Sequence, residues 1–178
     1  MKRITTSGLS LFFLLMLVCQ ISHAQNIKNT TPPLTLYTNE SGKFVYDTII
    51  NVSDAAKTEL YRRGKNWVLS TVRTTDNTVV YDDKDSGEIR TNVTLEIPDY
   101  PGNYVNFKIS LSFKEGKCRI VDESFMYIFG PYEFAYETLP TSKLKIVKKK
   151  VSILFDNQFQ AFNTSLIKSL FKPSKSDW

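Results

Sequence analysis

Two stretches near the middle of the chain alternate apolar and polar residues with the period of a strand. In the first, Ile89, Thr91, Val93, Leu95 and Ile97 point one way, and Glu88, Arg90, Asn92, Thr94 and Glu96 the other. In the second, Val105, Phe107, Ile109, Leu111 and Phe113 form an apolar face opposite Tyr104, Asn106, Lys108, Ser110 and Ser112. Three less regular runs join them. Residues 42–52 are rich in Val, Ile and aromatics, with Phe44, Tyr46, Ile50 and Val52 on one parity. "TVVYDD" precedes a turn at "DSGE" (85–88), and "KEGK" (114–117) reads as a hairpin turn. The run from Lys117 to Phe129 changes parity: Cys118 and Ile120 share one face, and Phe125, Tyr127 and Phe129 the other. A bulge near Asp122 and Glu123 would reconcile them.

Helical spacing appears twice. After a cap at Ser53 or Asp54, the residues Ala56, Leu60, Gly64, Trp67, Val68 and Thr71 recur at intervals of three and four, flanked by Tyr61 and Val72. Gly64 costs up to ~1 kcal/mol of helix propensity relative to alanine. Its place in the middle of the apolar face predicts a close approach to a sheet, with Trp67 covering the ground beside it. From about Ser142 to Phe171, a second stripe runs through Leu144, Val147, Val151, Leu154, Phe155, Phe159, Phe162, Leu166 and Leu170. The predicted order is β-α-β-β-β-β-α: an α+β fold with a five-stranded, largely antiparallel sheet and both helices on its apolar side. Gly64, Trp67, Gly87 and Phe155 are the expected structural anchors.

The ends change what is to be folded. Lys2 and Arg3, the apolar run "LSLFFLLMLV" (9–18) and the small residues Ser22 and Ala24 predict a signal peptide cleaved before Gln25. Ten residues rise only ~15 Å as a helix, too short for a membrane span of roughly 30 Å. Cys19 raises lipidation as an alternative. The expected organisation is a leader at 1–24, a polar lead-in at 25–41, one domain at 42–172 and a tail at 173–178. The mature chain would be periplasmic or secreted, with no transmembrane segment.

Composition then removes whole classes of chemistry. The sole histidine, His23, leaves with the leader, so the remainder has no imidazole for a triad, a zinc site or a histidine base. Cys118 is the one cysteine left, which excludes an intrachain disulfide. Net charge falls from +5 to +3 as Lys2 and Arg3 depart, a weak excess that does not suggest nucleic acid. "YDDKDSGEIR" (81–90) concentrates acids, but no register places acids, glycine and a twelfth-position glutamate as a calcium loop needs. Its expected role is a turn, with Gly87 supplying the unusual dihedral. No metal or cofactor is predicted. A carboxylate-only hydrolase using Asp82, Asp83, Asp85 and Glu88 is the enzymatic alternative.

One surface remains. With helices on a single side, the other face of the sheet displays Arg90, Tyr104, Asn106, Lys108 and Arg119, suited to an anionic or glycan-like ligand or an envelope protein. Val45 and Ile49 offer a less polar patch beside it. The order of elements, with "ELYRRGKNWVLSTV" (59–72), "VVYDDKDSGEI" (79–89) and the terminal amphipathic helix, resembles a family of secreted Bacteroidota-type proteins of unknown function with a TATA-binding-protein-like fold. Tyr61, Trp67 and the acidic turn ending at Gly87 carry the likeness. The resemblance implies a curved antiparallel sheet with two helices, and it brings no catalytic residues. The reading is therefore a non-enzymatic binding or structural domain at the cell envelope.

Overall fold

The two alternating stretches become the centre of one antiparallel sheet. The computed structural model describes residues 36–72, 79–138 and 145–172. The predicted leader, Cys19, most of the lead-in and the tail lie outside them. Along the chain come β1 (Tyr37–Thr38), β2 (Phe44–Asn51), α1 (Lys57–Thr71), β3 (Val79–Asp83), β4 (Glu88–Glu96), β5 (Asn103–Lys114), β6 (Lys117–Phe129), β7 (Tyr132–Ala135) and α2 (Lys145–Phe171). A single 3₁₀ turn at Tyr136–Thr138 precedes α2.

The sheet has seven strands, not five. The expected five are β2 to β6. The two extra strands are short edge pieces that carry too few residues to display a period. β1 pairs with the start of β2 and β7 with the end of β6, so both lie beyond the alternating core. β1 also draws part of the predicted lead-in into the domain. The path runs β1-β2-β6-β5-β4-β3, which makes α1 the crossover from β2 to the far edge at β3.

The parity change in β6 is a bulge, as the pattern required. Lys108 pairs with Glu123 while Asn106 pairs with Met126, so β6 carries an extra residue there. Ser124 takes it up with φ of +59°. Before the bulge, Cys118, Ile120 and Asp122 face the helices; after it, Phe125 does.

The core lies between the sheet and the two helices. Phe107, Phe125, Phe155 and Phe159 form an aromatic cluster in which the Phe125 and Phe155 rings each lie 5.6 Å from Phe159. Phe107 stacks on Phe125 at 5.2 Å. Trp67 of α1 packs edge-on against Phe162 of α2 at 4.8 Å and donates its indole N–H to Ser165 Oγ at 2.9 Å. Leu154, Phe155, Phe159, Phe162, Leu166 and Leu170 form the expected stripe; the side chains of Leu144, Val147 and Val151 lie outside the described residues.

Gly64 lies against Phe113 of β5. A β-carbon there would sit 2.3 Å from Phe113 Cζ, so the helix can approach the sheet only because position 64 has no side chain. The start of α1 differs from the pattern reading. Asp54 adopts φ of +65° and cannot open the helix; Ala56 is the cap, with no side-chain hydrogen bond. Ala55 rather than Ala56 is consequently buried, and at the other end Val72 rather than Thr71.

Candidate functional site

The face of the sheet away from the helices is concave along β5. Its side chains align in rows across the strands: Glu88–Ser112–Arg119, Arg90–Ser110–Val121, Asn92–Lys108–Glu123 and Thr94–Asn106–Met126. The central strand contributes the short side chains Ser110 and Ser112, whereas its neighbours contribute arginines and glutamates. Short residues between long ones make a trough. A cavity of about 530 Å³ is lined by Glu88, Arg90, Lys108, Ser110, Ser112 and Arg119 among others. A second of about 360 Å³ continues from it past Asn92, Thr94, Asn106, Ser124 and Met126. Asn92 and Lys108 line both.

Most charge in the trough is already neutralised. Arg90 pairs with Glu88 at 2.8 Å and lies over the Tyr81 ring, 5.1 Å from its centre. Arg119 grips Asp47 through two hydrogen bonds of 2.9 and 2.6 Å, which hold the Asp47 carboxyl below the usual carboxylate range. Lys108 enters no ion pair among the described residues and stands at the junction of the two cavities. The remaining lining is amide and hydroxyl: Asn92, Thr94, Asn106, Ser110 and Ser112.

Four of the five face residues singled out by pattern, Arg90, Asn106, Lys108 and Arg119, therefore line one continuous depression. Tyr104 shares the face, opposite Glu96 and Ile128, but lies past the end of the cavities. Of the apolar patch on β2, Val45, which pairs with Tyr37 of β1, is buried while Ile49 stays 56% exposed. Pattern reading did not pair Arg90 with Glu88 or Arg119 with Asp47. Asp47 and Arg119 lie 72 positions apart, and only the β2–β6 pairing joins them.

The four carboxylates of the acidic segment do not converge. Asp82 turns towards α1, where Lys65 Nζ lies 2.6 Å from Oδ2 and the Tyr61 hydroxyl donates to Oδ1. These donors, Lys65 first, depress the Asp82 pKa, while burial and then the Asp82 contact raise that of Tyr61 to about 12. Asp83 accepts the backbone N–H groups of Asp85 and Ser86, closing the turn. The Asp85 carbonyl receives Lys57 Nζ at 2.7 Å, and Glu88 pairs with Arg90. Gly87 has φ of +75°, and a β-carbon there would meet Lys57 Cε at 2.4 Å and the Phe113 carbonyl oxygen at 2.9 Å. The segment is a turn locked onto both α1 and β5.

Cys118 is fully buried, and desolvation pushes its thiol pKa far up, which suits a core residue. Among the described residues, no helix is long and apolar enough to cross a membrane.

Comparison with known proteins agrees with this architecture. Residues 46–127 match a family described as a domain of unknown function (DUF4468) with TBP-like fold. A TBP-like protein from Parabacteroides distasonis ATCC 8503 superposes with a TM-score of 0.55 at 16% identity, covering 72% of this chain and 95% of its own. A DUF4468 family protein from Bacteroides ovatus ATCC 8483 gives 0.56 at 14% identity, covering 79% and 93%. No curated protein matches the sequence. The matched segment runs from β2 almost to the end of β6 and so contains α1, the acidic turn and the trough. Sequence match and fold thus agree: residues 46–127 resemble the DUF4468 family, and the domain has a TBP-like fold.

Proposed function

We propose that this protein is an exported, non-catalytic binding domain of the cell envelope, and that the trough along β5 takes a hydroxyl-rich, glycan-like chain. The observation that carries the reading is the trough's lining: serine, threonine and asparagine side chains on the floor, between walls whose charges are largely paired off. Asparagine offers a donor and an acceptor in one plane, which matches neighbouring sugar hydroxyls, and serine and threonine hydroxyls adapt to either role. A polyanion would need a row of free cations. Here Arg90 and Arg119 are committed to Glu88 and Asp47, leaving Lys108 for a single negative group. Nucleic acid is therefore not the expected ligand. The scattered carboxylates of residues 82–88 supply no acid–base pair, which favours binding over hydrolysis. Export rests on the leader pattern at residues 1–24.

A glycan array probed with the purified chain from Gln25 onward tests this, alongside Ser110→Trp, which fills the trough from its floor. Glycan retention by the parent and at least a tenfold loss in the variant are expected. Retention unaffected by the tryptophan would place the site elsewhere, and no retention of any glycan by the parent would end the proposal.

A further inference from the structure

Asp122 is the one carboxylate enclosed in the core among the described residues. Both it and Asn163 of α2 are completely shielded from solvent. Asn163 Nδ2 donates to Asp122 Oδ2 at 2.9 Å, a link between the terminal helix and the middle of the sheet. The other oxygen of each group, Asp122 Oδ1 and Asn163 Oδ1, has no hydrogen-bond partner. Two buried acceptors left without a donor are an unfavourable arrangement for a carboxylate beside an amide. A proton on Oδ1 of Asp122 removes the conflict, because the acid can then donate to Asn163 Oδ1 while still accepting from Nδ2.

We propose that Asp122 is held as the neutral acid in a reciprocal acid–amide pair with Asn163, and that this proton fastens α2 to the sheet. Loss of the proton leaves a carboxylate among aromatic rings and favours release of the helix.

The neighbouring elements supply no opposite charge. β2 presents Tyr46 directly across the strand pair, a phenol whose pKa burial raises to about 12. β5 presents Ile109, and α2 presents Asn163 and the Phe159 ring that packs on Tyr46. No cation faces the site among the described residues. Desolvation accordingly lifts the Asp122 pKa to about 8, only partly offset by the Asn163 hydrogen bond.

Trp67 reports on the helix, since its indole bonds to Ser165 and packs on Phe162, both in α2. In a Trp178→Phe background it is the one tryptophan of the chain. Its emission should shift to the red as pH rises from 6 to 10, and the added Asp122→Asn change should abolish that shift, since an amide reproduces the reciprocal pair without a titrating proton. A shift that persists unchanged in Asp122→Asn overturns the inference. Should that variant fail to fold, side-chain carboxyl ¹³C NMR of the parent decides: one aspartate titrating above pH 6.5 is expected, and all aspartates titrating below pH 5 would refute it.

Discussion

At the scale of single residues, the closest approaches are made where a side chain is missing. Gly64 lets α1 settle on the buried ring of Phe113, at a distance no β-carbon could share. In an isolated helix Gly64→Ala would gain up to ~1 kcal/mol. Here the overlap should outweigh that gain, for a net loss of about 1–3 kcal/mol in urea denaturation. Adding Phe113→Leu should recover part of it, the non-additivity expected of residues in contact. Ser124 is the converse case. Its φ of +59° costs a non-glycine residue roughly 1–2 kcal/mol, so Ser124→Gly should be neutral or stabilising and Ser124→Val destabilising in the same assay. The spacing of hydrophobic residues already marked Gly64, because a glycine in the middle of an apolar stripe has few other uses. Nothing local marked Ser124, since the bulge could have been absorbed at any of three or four neighbouring positions.

Elements are joined by contacts between residues far apart in the chain. Arg62, Arg63 and Lys65 look alike as a basic run on a solvated helix surface, yet they do three different things. Arg62 pairs with Glu59 at the surface. Arg63 is only 12% exposed in its side chain; it reaches Glu59 and donates to the Leu170 carbonyl near the end of α2 at 2.5 Å. Lys65 holds Asp82 on β3. The helix pattern correctly placed one face of α1 in the core but could not say which bases met a partner, since α2 and β3 lie elsewhere in the sequence. Phe159 shows the weight of this packing, touching the rings of Tyr46, Phe107, Phe125 and Phe155. Phe159→Ala should cost about 3–5 kcal/mol, measured as a fall in the urea midpoint. Arg119→Ala, which removes an exposed ion pair with Asp47, should cost less than about 1 kcal/mol and less still at high salt.

For the whole molecule, ionisation works in two directions. Asp47, Asp82 and Asp83 have pKa values lowered in the fold by hydrogen-bond donors. Their stabilisation is present above the unfolded value of about 4 and is lost as pH falls through the folded values. Asp122 is raised to about 8, so the native state holds a proton that the unfolded chain has released above about 4. Its contribution is therefore full below about pH 4 and declines as pH rises towards 8, with a slope of at most about 1.4 kcal/mol per pH unit. The parent should lose stability between pH 5 and 8 relative to Asp122→Asn. Equal slopes in paired urea titrations would show that Asp122 does not hold that proton.

The sequence by itself determined the five principal strands, the two helices, the side of the sheet they cover and the faces on which Arg90, Asn106, Lys108 and Arg119 lie. Those follow from local periodicity, because a residue's parity on a strand or its angle on a helix depends only on its neighbours in the chain. Tertiary structure alone decided that seven strands join the sheet, that the face is hollow, and that its arginines are neutralised. It also decided that Asp122 meets Asn163 in the core. Each of these depends on which distant residue comes to lie opposite, and strand register and helix docking, not local spacing, set that pairing.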